Sequence, residues 1–282
     1  TAAFTITDVN KPTGGTTLAS LDDDGSGGNA ASTVDDLAVP NVDGDNNEAT
    51  FAGTLTHDFG LDGAGTVSFA ALHGTTGQVG TETVSYAWSE AAGVGTLTAT
   101  GPRGLLFTLD VTLSTGAYEL TLNDNVLHAG GPNQENAVDP TTSLGYVVTD
   151  ADGSPIGGTL TITFDDDAPT ATNEPAQSVG EGGTINGTVD FVAGADGASV
   201  THVNGTTLVF GGDGFSQSLD IGNGSIKVKA DGTYVFTADN PVIGNGSANA
   251  SFTITDGDND TATATAAFTI TDVNKPTGGT TL

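Results

Sequence analysis

Apolar and polar residues alternate with a period of two along most of this chain. The pattern is clear over Ala49–His57, Gly65–Ala71, Glu82–Ser89, Gly104–Ser114, Ala117–Asn123, Ser225–Ala230 and Thr233–Thr237. Such alternation puts the apolar side chains on one face of an extended strand. Val, Ile, Thr, Phe and Tyr supply the runs, and Gly, Asn and Asp break them. No window of helical length carries an apolar stripe of period 3.6 with caps at its ends. Short strands separated by turns at intervals of about 8–12 residues predict β-sandwiches. The fold class expected is all-β, built as tandem Greek-key sandwiches.

The ends of the chain divide it. Thr1 to Leu18 reads TAAFTITDVNKPTGGTTL, and Thr265 to Leu282 repeats it letter for letter. The offset from Thr1 to Thr265 is a period of 264 residues, too long for one solenoid or propeller repeat of about 20–50 residues, so each period should hold whole domains. A related phrase recurs inside it. Thr5-Ile6-Thr7-Asp8 leads to Pro12, Thr161-Ile162-Thr163-Phe164-Asp165-Asp166-Asp167 leads to Pro169, and Thr269-Ile270-Thr271-Asp272 leads to Pro276. Each is a β-branched run, then carboxylates, then a proline that cannot continue a central strand. We read these as last strands leaving a domain through a stiff acidic linker. The expected organisation is therefore 1–12 as the end of a preceding repeat with its linker, 13–168 as a larger sandwich, 169–275 as a second, and 276–282 as the start of the next repeat. One sandwich split by insertion of the other is the alternative topology.

Both domains also close on the same hairpin pattern. Tyr146–Asp150 turns at Asp152-Gly153 into Thr159–Phe164, and Phe252–Asp256 turns through Gly257-Asp258-Asn259-Asp260 into Thr261–Thr271. The first segment is long for a sandwich of about 100 residues, so extra strands or long loops are expected there.

Charge narrows the function. The chain has 35 acidic and 5 basic residues, for a net charge of −30. Of the acidic residues 28 are Asp and only 7 Glu, a skew toward a residue that serves both turns and compact oxygen ligation. That charge repels nucleic acid and anionic membranes, and it strains the compact state unless cations are bound. Disorder is disfavoured because 36% of the chain is apolar and falls in alternating runs. Without Cys there are no disulfides or thiolate metal sites. The chain has no Met, shows no signal peptide and has no apolar run of membrane-spanning length, so it reads as an excerpt whose targeting lies elsewhere.

Calcium takes six to eight oxygens, often from Asp at alternate loop positions. The candidate ligands are Asp22, Asp23 and Asp24 after the first linker, Asp150, Asp152, Asp165, Asp166 and Asp167 around the first terminal hairpin, and Asp256, Asp258 and Asp260 in the second. Asp8 and Asp272 at strand exits complete the Asp set. Clustered carboxylates repel one another and call for a counter-charge. Glu181, in Gly180-Glu181-Gly182-Gly183, either completes a site with Asp165–Asp167 or is a solvated loop residue. Asn41–Glu48 resembles the opening of a calcium loop but lacks the full pattern. Isolated Asp62-Gly63, Asp196-Gly197, Asp213-Gly214 and Asp231-Gly232 are read as turns.

Other chemistry is thin. His57, His73, His128 and His202 share no motif, and no nucleophile elbow, P-loop or zinc-protease pattern occurs, so no catalysis is expected. Tyr86 and Trp88 fall on one strand face and are expected in the core rather than as a sugar platform. Thr261–Thr265 is expected to be an exposed strand face rather than an ice-binding ladder.

The first segment resembles the type I secretion target repeat of large RTX adhesins. The resemblance is carried by Leu21-Asp22-Asp23-Asp24-Gly25, Asp43 through Phe51, Gly63-Ala64-Gly65 through Gly77, and Val126-Leu127-His128-Ala129. The second is similar to VCBS and bacterial Ig-like repeats through Lys229–Tyr234 and Phe252–Asp258. The resemblance implies Ig-like sandwiches in a cell-surface extender. There Ca2+ at interdomain linkers, carried onto Asp8, Asp165–Asp167 and Asp272, stiffens a rod that projects a distal binding region for adhesion and biofilm formation. It implies type I secretion, an extracellular location, neighbouring repeats of the same chain as partners and a monomeric state, with no small-molecule substrate. A carbohydrate- or ice-binding module is the competing expectation.

Overall fold

A computed structural model describes residues 11–23, 49–128, 140–165, 168–257 and 259–273. They are all-β, with no α-helix among them, and they separate into two compact units divided after 165 and before 168. Every strand up to Asp165 belongs to the sheets of the first unit and every strand from Thr170 onward to those of the second, so among the described residues neither sandwich is inserted in the other.

The first unit stacks two sheets. One runs in the order β2 (Thr16–Asp22), β12 (Pro155–Asp165), β11 (Thr141–Thr149), β5 (Thr66–Ser68). The other runs β3 (Thr50–Thr54), β10 (Ala117–Leu122), β9 (Gly104–Thr112), β8 (Val94–Gly101), β7 (Glu82–Ala91), β6 (Thr76–Val79). A short pair, β1 (Thr13–Gly14) with β4 (His57–Asp58), lies outside both. The second unit repeats the plan. One sheet is β14 (Gln177–Gly180), β23 (Thr261–Thr271), β22 (Gly246–Asp256), β17 (Ala198–Val203), β18 (Thr206–Thr207). The other is β15 (Thr184–Thr188), β21 (Thr233–Ala238), β20 (Gly224–Val228), β19 (Leu219–Asp220), with β13 (Thr170–Thr172) and β16 (Asp190–Val192) paired beside them.

In both units the terminal hairpin is antiparallel, and the first long strand adds to the last one in parallel: Thr16–Asp22 along Thr159–Asp165, and Gln177–Gly180 along Phe268–Thr271. Among the described residues the longer segment has twelve strands and the shorter one eleven, and the second sheet of the first unit has six strands against four in that of the second.

The alternation becomes burial. On β11, Leu144, Tyr146 and Val148 are buried while Thr141, Ser143 and Gly145 face out; on β23, Ala264, Ala266, Phe268 and Ile270 are buried between exposed neighbours. Rings meet across the layers: Phe107 of β9 lies 6.1 Å from Phe164 of β12, and Phe236 of β21 stacks on Phe268 of β23 at 4.1 Å.

Several strand glycines serve these aromatics. Tyr118 pairs with Gly53, Tyr146 with Gly158 and Tyr234 with Gly187, and in each case a β-carbon on the glycine would run into the tyrosine ring. The glycine lets the ring lie flat over its cross-strand partner. The Tyr146 hydroxyl then donates to the carbonyls of Thr56 at 2.7 Å and Gly15 at 3.0 Å, tying two segments to the core.

The chain's one arginine is committed to structure. Arg103 forks onto Glu82, with Nε at 3.1 Å from both carboxylate oxygens and Nη2 at 2.7 Å from Oε2, and Nη1 donates to Asn125 Oδ1 at 2.6 Å. Glu82 is buried, so losing the guanidinium strands a charge in the sandwich. Arg103→Met is expected to lower unfolding stability by about 3 kcal/mol, read as a shift of the urea midpoint at unchanged slope.

Candidate metal centres

Carboxylates collect at two levels in each unit, and strand direction decides which ones meet. At the outgoing end of the first unit the parallel register sets Asp22 opposite Asp165. Both are buried, as is Asp23, at 2%, 3% and 1% exposure. Asp23 Oδ2 accepts the Val126 N–H at 2.8 Å. In the second unit β14 ends at Gly180 opposite Thr271, and the Glu181 N–H donates to the Thr271 carbonyl at 3.0 Å. Glu181 and Asp272 therefore take the places that Asp22 and Asp165 hold in the first unit. Glu181 is buried, with Oε2 accepting the Val242 N–H at 2.8 Å.

Two sequence expectations are corrected here. Glu181 does not sit where its unit begins. The incoming segment is level with Thr265, whose N–H donates to Asn173 Oδ1 at 2.9 Å, whereas Glu181 follows the end of β14, six residues and roughly 20 Å further along β23. Asp150 and Asp152 likewise do not share a cluster with Asp165. They sit at the start of β12 and Asp165 at its end, and the eleven residues Pro155–Asp165 span roughly 33 Å.

The other level is the hairpin turn. In the first unit the Asp150 N–H reaches the Ser154 carbonyl, and the Ser154 N–H returns to Asp150 Oδ1 at 2.7 Å. The second unit has the same turn: the Asp256 N–H reaches the Asp260 carbonyl, and the Asp260 N–H returns to Asp256 Oδ1 at 2.6 Å. The fourth residue is left-handed in both, Gly153 at φ 94° and Asn259 at φ 88°. Asp-Ala-Asp-Gly-Ser and Asp-Gly-Asp-Asn-Asp are thus one turn with two spellings.

A second loop joins each hairpin, and the sequence reading missed it. The carboxylates of Asp62, Asp150 and Asp152 lie within 4.8 Å of one another. Asp62 belongs to the loop before β5, which pairs with β11. Contact is close because Gly65 lacks a side chain: a β-carbon there would run into the Thr149 carbonyl oxygen and come within 2.7 Å of the Asp150 carbonyl carbon. In the second unit Asp196 precedes β17, which pairs with β22, and Asp196 lines one pocket with Asp256 and Gly257. There the hairpin glycine makes the approach, since a β-carbon on Gly257 would lie 3.0 Å from the Asp196 carbonyl oxygen. Nothing local marks Asp62-Gly63 or Asp196-Gly197 as more than a turn. The available signal was their position just before the strand that pairs with the hairpin.

Electrostatics at the first hairpin follow from this crowding. Burial raises the Asp150 carboxyl above the ordinary carboxylate range, and the adjoining Asp152 adds to the rise. Asp152 is exposed and is held below it, first by the neighbouring Asp150 carboxyl and then by Ser154. Asp8, Asp24, Asp166, Asp167, Asp258 and the Asn41–Glu48 stretch lie outside the described residues.

The other candidates take structural roles. Tyr86 is buried, and the half-buried Trp88 packs on the core with its ring over Gly95 and its indole N–H donating to Glu90 Oε1 at 2.9 Å. Thr263 and Thr265 face out from β23, an interior strand of its sheet. His57 Nδ1 bonds to the Leu55 carbonyl, and His73 Nδ1 accepts the Trp88 N–H.

Comparison with known proteins bears on the second unit. Residues 166–271 match the family model of the bacterial Ig domain. No match was found among curated proteins. Solved structures with some likeness include titin domains I67–I69 (9% identity, 63% of this chain and 59% of that one, TM-score 0.29). Others are protocadherin gamma C5 EC1–3 (11%, 93% and 68%, 0.25) and SporoSAG from Toxoplasma gondii (10%, 90% and 96%, 0.22). This chain spans about three-fifths of the titin structure's length. Among the described residues no helix is long and apolar enough to cross a membrane.

Gly65→Ala tests how the loop is held on the hairpin. Overpacking against Thr149 and Asp150 is expected to lower stability by about 1–3 kcal/mol, and amide exchange should rise first in 59–65 and 150–154.

Proposed function

We propose that this chain is a structural spacer of an extracellular bacterial surface protein, an extender repeat of an RTX-type adhesin. In this reading Ca2+ held by carboxylates where the chain leaves each sandwich stiffens the linkers, and the array projects a distal binding region. It assigns the chain no catalysis. Its partners are neighbouring repeats of the same polypeptide.

The observation that carries the reading is the outgoing end of the first unit. Asp22 and Asp165 are buried there on two strands paired in parallel, and Asp23, the residue after the first of them, is buried too. Carboxylates brought together at one end of a sandwich offer the oxygen ligands that a hard divalent cation takes. The match of 166–271 to the bacterial Ig domain supports an extracellular structural role for the second unit.

Linker length supports the mechanical part. Between Asp165, the last residue of β12, and Thr170, the first of β13, stand Asp166, Asp167, Ala168 and Pro169. The repeated termini give the next joint. Thr271 ends β23 and corresponds to Thr7, and Thr13 begins β1, which leaves Asp8-Val9-Asn10-Lys11-Pro12 between two periods. Linkers this short, each with a proline of fixed φ, have few torsions left to restrain. Extracellular calcium modules bind at about 10⁻⁴–10⁻³ M, so stiffening would follow export into calcium-rich medium.

Small-angle scattering on a chain of three tandem periods tests this. In millimolar calcium the maximum dimension should approach that of an extended rod, and chelator should give shorter, more variable particles. Identical dimensions in both would reject the reading.

A further inference from the structure

We propose that Asp62, Asp150 and Asp152 form a calcium site inside the first unit, whose role is to pin the 59–65 loop to the terminal hairpin. The site lies at the opposite end of β12 from Asp22 and Asp165, so it stands or falls independently of the linkers.

Three observations carry it. The first is geometric. The ligand atoms all lie within 4.8 Å of one another, close enough for one ion at a calcium–oxygen distance of about 2.4 Å to touch all three. The second concerns Asp150. Its side chain is buried, with the residue 4% exposed, and Oδ1 takes the Ser154 N–H. Oδ2 is enclosed and takes no hydrogen bond, as is Asp62 Oδ2 on the facing loop. A buried carboxylate oxygen without a donor is costly, and a cation among three carboxylates satisfies it. The third is recurrence. The second unit builds the same hairpin turn on the same strands and brings Asp196 from the loop before the equivalent strand to line a pocket with Asp256. Turn chemistry alone explains each Asp-Gly but not why, in both units, the loop before this strand brings an Asp to the hairpin that carries the other.

The donors point to the ion. All three side chains offer carboxylate oxygen, without nitrogen or sulfur, which suits calcium rather than zinc or copper. Magnesium demands a tighter octahedron and gives up water reluctantly, so a partly exposed site of three carboxylates favours calcium. Bound there, the ion would link two chain segments that are far apart in sequence, at a point where Gly65 already brings the backbones together.

Hydrogen exchange on the full 282-residue chain, compared in calcium, in magnesium and in chelator, tests the site. Calcium is expected to slow exchange at least tenfold in 62–66 and 150–154, and magnesium markedly less. Asp62→Asn should abolish this protection while leaving circular dichroism unchanged. Asp152→Asn, at an exposed position, gives a second variant should the first fold poorly. Asp213→Asn, in a turn apart from the cluster, should retain full protection. The proposal is overturned if calcium leaves those segments unprotected in the parent chain, or if Asp62→Asn and Asp152→Asn both keep the protection. Equal protection by magnesium would overturn the calcium assignment. Array dimensions that ignore calcium would reject the linker reading while leaving this result intact.

Discussion

The parallel pairing of each unit's first long strand with its last decides where the carboxylates go. A parallel neighbour must run in the same direction, so both strands finish at the same end of the sandwich. Whatever follows the first strand then meets whatever follows the last: Asp22 with Asp165 in one unit, Glu181 beside Thr271 and Asp272 in the other. The antiparallel hairpin sends its turn to the opposite end. Two acid-rich levels result, separated by an eleven-residue strand in each unit. An antiparallel first strand would have merged them.

Charge makes that separation consequential. With 35 acidic and 5 basic side chains, the chain has little cation of its own to place among its carboxylates. Arg103 binds Glu82 and steadies Asn125, next to the Val126 whose N–H donates to Asp23. Lys229 lies 4.7 Å from the Phe215 ring centroid and draws the Asp231 carboxyl down, after the stronger effect of the Thr233 N–H and hydroxyl. Both bases support local structure. A fold this acidic spreads many of its carboxylates over turns, and in the proposed reading a divalent cation compensates those gathered at the two levels.

The layers were legible because burial on a sheet face has a period of two, and that period survives in runs such as Ala264, Ala266, Phe268 and Ile270. The terminal hairpins were legible because their turns are local. Strand direction was not, since a parallel and an antiparallel neighbour present the same alternation to a reader of sequence. One of the two readings of Glu181 therefore set it with Asp165–Asp167, and Asp150 was grouped with Asp165 across the length of β12. Asp62 and Asp196 were read as turns because an Asp-Gly pair is sufficient chemistry for one. Their partners, 88 and 60 residues later at Asp150 and Asp256, meet them only through the pairing of β5 with β11 and of β17 with β22. The glycines under Tyr118, Tyr146 and Tyr234 sit within strands and are seats for rings.

Turn chemistry and ligand chemistry are therefore not competing explanations of these aspartates. A carboxylate has two oxygens. At Asp150 one of them closes the turn on the Ser154 N–H, which fixes the rotamer and leaves the other oriented at no further entropic cost. Asp256 closes its own turn on the Asp260 N–H in the same way. A turn-forming Asp is thus a preorganised ligand waiting for neighbours, and what separates an ordinary Asp-Gly from a metal ligand is whether the sheet delivers a second carboxylate to its free oxygen. That test depends on strand pairing. In the proposed reading it singles out Asp62, and Asp196 holds the equivalent position, because only these two of the four isolated Asp-Gly pairs stand just before a strand that pairs with an Asp-bearing hairpin.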